Sequence, residues 1–229
     1  MELTNNCNFK CPFCYIAGKS KYAKFRKFDE LRPLFDSLIK HGMLFCTLTG
    51  GECLLHPDFK KIYLYLKKNG VLVSILTNGS LLNEKIISIF NKYKPYKVEI
   101  SLYGDEQYFN KNTMQKNYDL KDIKSNILLL KKHKINVICK TPLNSITENS
   151  FSKILNWCNK NNISYYYSSE LFNSYDGSDN TKYKLKDKEL IKLIKNGNNS
   201  LLKQVDYVYG KKYFLIVKRG KYDMMIAYD

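Results

Sequence analysis

The sequence lacks any long hydrophobic run, and its most apolar stretches, such as ILLL at residues 127–130, are far too short to cross a bilayer. The N-terminus also lacks the apolar segment of a secretory signal peptide. No low-complexity tract occurs, and a hydrophobic content of 44% is ordinary for a globular protein. We therefore expect a globular protein of the cytoplasm that has no membrane association.

Cysteine is absent after residue 158, and four of the seven cysteines occur singly in the middle of the chain. The remaining three, Cys7, Cys11 and Cys14, lie within eight residues of one another. An odd number with one tight group argues against a secreted disulfide framework. It fits a metal site in a reducing compartment.

Acidic residues are few, because 21 Asp and Glu face 38 Lys and Arg and leave a formal net charge of +17. The lysines are spread along the chain, without a dense basic block or a recognised RNA-binding module. The excess charge indicates either an acidic partner, such as a peptide or nucleic acid, or simply solvated helix faces.

Short apolar runs alternate with longer segments of helical period, which predicts a parallel sheet. Six strands are expected, at ELT, MLFCTLT, VLVSILT, KVEISLY, INVICKTPL and ISYYYSS. Such strands with intervening helices form an open doubly wound sheet or an incomplete barrel, and in both the reactive loops follow the strands.

The pattern changes after about residue 170, where the chain becomes turn-rich and polar. A short helix is expected around Leu190–Ile194, followed by a hairpin that turns at Arg219 and Gly220. We therefore predict an α/β domain over residues 1–172 and a small α+β extension over residues 173–229.

Three clustered thiols suggest a site that does chemistry. A structural zinc site takes four protein ligands, whereas three leave one coordination position open. An iron-sulfur cubane held by three cysteines likewise has one iron free for an outside ligand. The spacing alone also allows a zinc site completed by a distant residue, either His56 or one of Cys46, Cys53, Cys139 and Cys158.

Polar or glycine-rich segments follow the later strands. They are Thr49-Gly50-Gly51-Glu52, Thr77-Asn78-Gly79, Ser101-Leu102-Tyr103-Gly104 and Lys140-Thr141-Pro142-Leu143-Asn144. Each segment alone has a composition that is common in turns. At successive strand ends they form a ring, in which glycines let the backbone approach a ligand and a glutamate meets a cation.

Residues 2–170 resemble the radical S-adenosylmethionine (SAM) enzymes, and within them the peptide-modifying branch that usually carries a C-terminal SPASM domain. The resemblance lies in the cysteine loop ELTNNCNFKCPFCY, in LTGGECLLHPDF, in ILTNGSLL and VEISLYG, and in PLNSITENSFSKILNWCNKNNI. It implies a partial (β/α)6, TIM-like barrel. It also implies reductive cleavage of SAM and use of the resulting 5'-deoxyadenosyl radical on a substrate.

The resemblance assigns roles to ten residues. Cys7, Cys11 and Cys14 would hold one 4Fe-4S cluster. Glu52 would take the methionine ammonium of SAM, with Gly50 and Gly51 presenting backbone to it. Ser101, with Asn78 nearby, would contact the ribose or the carboxylate. Lys140 would neutralise the carboxylate. Phe13 would lie over the cluster and touch adenine through its backbone. No catalytic acid or base is identified.

Two positions depart from the family pattern. Cys53 stands where the family often has proline, and we expect it to be a small buried side chain rather than a fourth ligand. Tyr207 stands where the SPASM domain would have a cysteine. Auxiliary clusters are therefore not expected, and the extension is interpreted as a cluster-free, degenerate SPASM-like piece.

The resemblance implies a ribosomally made peptide or protein substrate, possibly acidic, modified by a thioether or carbon-carbon crosslink or by epimerisation. It also implies an electron donor such as a flavodoxin or ferredoxin. Tyr166 or its neighbours are expected to face the substrate, because side chains alternate along a strand. The alternatives are a small-molecule substrate, a nucleic acid, for which no module is found, or a non-catalytic metal-binding or partner-binding protein.

Overall fold

The computed structural model describes residues 1–16, 25–197, 208–209, 212–219 and 222–228. It divides into two compact units, Met1–Lys184 and Leu185–Asp229. The predicted domain boundary after residue 172 falls inside the first unit.

The first unit is built on a five-stranded parallel sheet. Its strands are β1 (Phe45–Leu48), β2 (Leu72–Thr77), β3 (Lys97–Ser101), β4 (Val137–Pro142) and β5 (Ser164–Ser168). They pair in chain order, each strand with the next. In a doubly wound sheet the strand order would instead reverse at one point of the sheet. The order is that of an open, partial barrel, and the α/β expectation is confirmed.

The expected first strand, ELT, is reduced to one parallel bridge between Glu2 and Thr49. The N-terminal segment nevertheless runs beside the end of β1 and the loop after it. Leu3 N donates to Thr49 O at 2.9 Å, and Gly51 N donates to Thr4 O at 2.7 Å. The segment fills the edge position without forming a full strand, because the chain soon turns into the cysteine loop.

Helices follow the strands. They are α1 (Phe28–Lys40), α2 (Phe59–Lys68), α3 (Glu84–Lys92), the five-residue α4 (Phe109–Thr113), α5 (Leu120–Lys132) and α6 (Glu148–Lys160). The predicted caps form, since the Asn83 side chain accepts from Ile86 N and the Asp119 side chain from Lys121 N. The sequence did not predict α4.

The core lies between the sheet and these helices. Val73, Ile75, Val98 and Ile100 on the strands are fully buried, as is Phe35 on α1. Each such side chain stabilises the fold by about 1.5–3 kcal/mol. Because side chains alternate along a strand, the residues between these buried ones on β3 and its neighbours lie on the other face of the sheet. That face lines the candidate site described below.

The second unit contains α7 (Asp187–Gly197) and an antiparallel sheet of β6 (Val208–Tyr209), β7 (Lys212–Arg219) and β8 (Tyr222–Tyr228). The helix and hairpin predictions are confirmed, although Tyr207 and Gly220 lie outside the described residues. Among the helices described, none combines the length and apolar character needed to cross a bilayer.

Candidate active site

A cavity of about 360 Å³ lies at the C-terminal ends of the strands of the first unit, a size typical of a small-molecule site. It brings together nine of the ten residues assigned by resemblance: Cys7, Cys11, Phe13, Cys14, Gly50, Gly51, Asn78, Ser101 and Lys140. Glu52 alone of that set does not line it. Side chains from a loop near the N-terminus and from strand ends far along the chain therefore converge at one place.

The cysteine loop, residues 7–14, is anchored to the ends of neighbouring elements. Asn78 Nδ2, just after β2, donates to Asn8 Oδ1 at 2.8 Å, and Asn8 Nδ2 donates to Ser80 Oγ at 2.8 Å. Lys10 N donates to Thr113 O at 2.9 Å. Asn78 lines the cavity together with Ser101, as expected, and its side-chain amide also holds the loop; its contact with SAM stays a prediction.

The Cys7 and Cys11 thiols are in a setting that favours their neutral form. Burial raises the pKa of Cys7 to about 11, against the opposing hydrogen bond from Phe9 N. Burial first, and then the neighbouring thiols, raise the pKa of Cys11 well above its usual value. Metal binding at this loop would therefore release protons and depend strongly on pH.

The donor set at the loop consists of three thiols, which are suitable ligands for an iron-sulfur cluster. Within the part of the chain that the structure describes, no three His, Cys, Asp or Glu side chains converge closely enough to hold one metal ion. The three cysteines nevertheless line one cavity, and a multi-iron cluster takes thiolates that are spread around it. The candidate fourth ligands of a zinc site do not line this cavity: they are Cys46, Cys53, His56, Cys139 and Cys158.

The two glycines after β1 are required by the close approach of the segment that precedes the cysteine loop. A Cβ on Gly50 would lie 2.2 Å from Thr4 O, and one on Gly51 would lie 2.2 Å from Asn6 O. Gly50 also has a φ of +143°, which side chains rarely adopt. The sequence interpretation credited these glycines with ligand approach, and the structure adds a backbone contact that leaves no room for a side chain.

Glu52 is fully buried behind the cavity wall. Its carboxylate accepts hydrogen bonds from Leu54 N at 3.0 Å, from Thr77 Oγ1 at 2.7 Å and from Asn78 N at 2.7 Å. Burial raises the pKa of Glu52 despite these bonds. The side chain thus ties the loop after β1 to the end of β2, and its contact with an ammonium group stays a prediction.

Cys53 is a buried core residue, as expected. It is fully buried, and its Sγ lies 3.2 Å from Leu76 O as a donor. It does not line the cavity.

Lys140 lines the cavity within a group of charges that the sequence reasoning missed. Its Nζ lies 2.6 Å from Glu99 Oε2, and Lys97 Nζ lies 2.5 Å from Glu99 Oε1. Burial alone would raise the pKa of Glu99, but Lys140 and Lys97 outweigh it and lower that pKa. The Lys140 ammonium also lies over the Tyr166 ring, 5.2 Å from its centroid. Glu99 was detectable in principle, because it precedes Ser101 by two residues on the same face of β3.

Aromatic side chains also form part of the cavity walls. Phe13 packs edge-on against Tyr103 with ring centroids 5.2 Å apart, and both line the cavity. The prediction of alternating tyrosines on β5 is confirmed, since Tyr166 lines the cavity whereas Tyr167 is buried against Phe151, 5.2 Å away. Phe172, beyond β5, lines the cavity yet is 68% exposed.

Comparison with known proteins now decides the family. Residues 1–158 match the Radical SAM superfamily. The chain belongs to this superfamily. The match includes the cysteine loop and the loops after β1, β2 and β3, so the family assignment and the cavity concern the same residues.

The chain is also similar to individual proteins and to solved structures. The chain is 33% identical over 93 residues to the antilisterial bacteriocin subtilosin biosynthesis protein AlbA of Bacillus subtilis, covering 41% of this chain and 21% of AlbA. It is 31% identical over 86 residues to a probable GTP 3',8-cyclase of Methanococcus maripaludis, covering 37% of this chain and 29% of the cyclase. The fold matches Streptococcus suis SuiB bound to precursor peptide SuiA with a TM-score of 0.71 at 15% identity, covering 89% of this chain and 45% of SuiB. Each match spans less than half of the relative.

Proposed function

We propose that the protein is a radical SAM enzyme that modifies a ribosomally made peptide or protein. The observation that carries the proposal is the convergence of Cys7, Cys11 and Cys14 with the glycine turn at Gly50 and Gly51 in one cavity of a radical SAM chain. The peptide part is supported by two relatives, one named for bacteriocin biosynthesis and one solved with its precursor peptide.

The residues present fit the cofactors that the family implies. Cys7, Cys11 and Cys14 would hold a 4Fe-4S cluster, and the adjoining cavity would take SAM. When bound, these groups supply a reductively generated radical able to abstract hydrogen from an unactivated carbon.

The chain's own residues would bind and shield that chemistry. Lys140 carries a charge suited to the carboxylate of SAM, and Ser101, which lines the cavity, would bond a hydroxyl or carboxylate through its Oγ. Phe13 and Tyr103 form an apolar wall that keeps water from the reacting groups. Side chains of the enzyme thus position the reactants, and the hydrogen transfer itself needs no acid or base from the protein.

The partners follow from the chemistry and the charge. A net charge of +17 favours an acidic peptide through electrostatic steering. The cycle needs an external one-electron donor, such as a flavodoxin or ferredoxin. All seven cysteines are free thiols, which suits the reducing cytoplasm. The product would be a thioether, a carbon-carbon crosslink or an epimerised residue.

A second candidate substrate is a nucleotide. It is favoured by the 31% identity to a probable GTP 3',8-cyclase, and the same positive charge would attract phosphates. A peptide substrate is preferred because AlbA, which is named for bacteriocin biosynthesis, is 33% identical to this chain over 93 residues.

Anaerobic purification tests the proposal. We expect a brown protein with about four irons, as for one cubane, that forms 5'-deoxyadenosine from SAM under a strong reductant. Binding of an acidic synthetic peptide, of GTP and of a nucleic-acid oligomer is then compared across salt concentrations. Selective peptide binding supports the proposal, and selective GTP or oligomer binding contradicts its peptide part. A protein with iron but without SAM cleavage would be a non-catalytic metal-binding protein.

A further inference from the structure

The polar segment after β5 returns to the cysteine loop. We call residues 170–180 the strap. Ser174 Oγ donates to Cys14 O at 2.7 Å, and Tyr175 N donates to Tyr15 O at 2.8 Å. The two contacts attach consecutive strap residues to consecutive residues at the end of the loop.

Ser174 is held in turn by Asn180, the last residue of the strap. Its Nδ2 donates to Ser174 Oγ at 3.0 Å and to Phe172 O at 3.0 Å. Asn180 is 1% exposed and Ser174 is 7% exposed. Burying polar groups at this level costs free energy unless each finds its partners. Here the Asn180 amide joins Ser174, which contacts the loop, to Phe172, which lines the cavity.

These contacts complete the anchoring of the loop. The first half is held through Asn8 and Lys10, which bond to residues after β2 and at the end of α4. At the second half, Cys14 N donates to Cys11 O at 3.1 Å within the loop itself. The Ser174 hydroxyl adds a contact from a segment 160 residues away.

We propose that Ser174 and Asn180 are positioning residues that fix the Cys14 end of the cysteine loop and align it with the substrate side of the cavity. The inference rests on the proposed function insofar as Cys14 holds a cluster. Neither residue touches the reacting atoms, and they act through the Cys14 carbonyl and the Phe172 carbonyl. The strap is therefore part of the active-site architecture rather than a passive linker.

The test uses Ser174→Ala in the full chain, with Ser178→Ala as the matched control, because Ser178 is an exposed serine of the same strap. After anaerobic reconstitution, two quantities are measured: the rate of iron loss to a chelator, and the electron paramagnetic resonance (EPR) spectrum of the reduced cluster with and without SAM. Ser174→Ala should lose iron about fivefold faster, as expected for one missing buried hydrogen bond. Its spectral response to SAM should also weaken. Ser174→Thr, which keeps the hydroxyl, should restore both properties.

A purely structural role would lower the thermal midpoint and leave the spectrum unchanged, and that result would overturn the proposal. If Ser174→Ala does not fold, Asn180→Asp replaces it, since the carboxylate removes both donated hydrogen bonds at nearly constant shape. Wild-type behaviour in this variant would equally overturn the proposal. A wild-type protein that binds the cluster but ignores peptides would contradict the peptide substrate and leave this test intact.

Discussion

The two walls of the cavity differ in how they are built. The wall from the cysteine loop and the glycine turn is neutral, and backbone hydrogen bonds hold it where it has no space for added atoms. The wall from β3, β4 and β5 carries the ion pair of Glu99 with Lys140, the Tyr166 ring, and the exposed Phe172 at its edge. Under the proposed function, the first wall would hold the cluster, and the second would bind SAM and meet the substrate. Variants on each wall should therefore have different effects.

The largest effect should come from the cysteines. Cys11→Ala removes one of three cluster ligands, so iron content should fall to near background and 5'-deoxyadenosine formation by at least about 100-fold. Cys46→Ala is the control, because Cys46 is buried on β1 away from the cavity lining. Iron analysis and product quantification check both. Full iron retention in Cys11→Ala would contradict the ligand assignment.

Gly51→Ala should be the next most severe change. Its Cβ would lie 2.2 Å from Asn6 O, and the backbone shift needed to relieve this contact should lower the free energy of unfolding by about 1–3 kcal/mol. Iron occupancy should fall with it. Gly70→Asn is the control, because Gly70 follows α2 with open space around its Cβ position and a φ of +79° that asparagine tolerates. Urea unfolding measures both variants, and a stability of Gly51→Ala equal to wild type would refute the contact.

On the second wall, Glu99→Gln should loosen Lys140 from its place beside Tyr166. Lys140 then binds a carboxylate less well, and the Kd for SAM should rise about threefold to tenfold, while iron content stays at the wild-type level. Glu106→Gln is the control, because its ion-pair partner Lys124 lies outside the cavity lining. Equilibrium binding on the reconstituted protein measures the effect. A raised iron loss with unchanged SAM affinity would place Glu99 with the first wall.

Phe172→Ala should affect the substrate alone. The ring is 68% exposed at the cavity edge, so its removal should raise the peptide KM about threefold and leave SAM cleavage without peptide unchanged. Phe45→Ala is the control, since Phe45 is 58% exposed at the opposite end of β1. Steady-state kinetics on both variants decide whether the strap side of the cavity meets the substrate. An unchanged peptide KM would remove Phe172 from the substrate wall.

The smallest effect is a pH dependence. Lys140 and Lys97 lower the pKa of Glu99 despite its burial. A carboxyl group whose pKa is lowered by folding stabilises the fold at pH values above its ordinary pKa. The contribution of Glu99 to stability should therefore be present above about pH 4.5 and lost as the pH falls through the pKa of the folded state. The difference in unfolding free energy between wild type and Glu99→Gln, about 1 kcal/mol or less, should therefore shrink below that pH. A difference that grows on acidification would contradict the ion pair.

The sequence predicts features that depend on neighbouring residues, and it does not predict contacts between residues far apart in the chain. Strands, helices and the caps at Asn83 and Asp119 depend on local pattern, and the ring of polar strand ends follows from parallel topology. The pairing of Glu99 with Lys140 depends on register, because Ser101 is aligned with Lys140 and Glu99 lies two residues before it. The sequence of either strand alone does not determine this register.

The strap shows the limit most clearly. Its residues are polar and turn-rich, a composition shared by ordinary surface loops. The bond from Ser174 to Cys14 joins segments 160 residues apart, and nothing local indicates it. The same holds for Glu52. Its charge favours a ligand contact, whereas its burial and its hydrogen bonds from Leu54, Thr77 and Asn78 are visible only in the folded chain.

The central claim is that three cysteines leave a cluster open to SAM. The most direct test is the EPR spectrum of the anaerobically reconstituted, reduced protein before and after addition of SAM, together with metal analysis. We predict about four irons per chain and a spectrum that changes when SAM is added. Zinc in place of iron, or a cluster spectrum that does not respond to SAM, would contradict the claim.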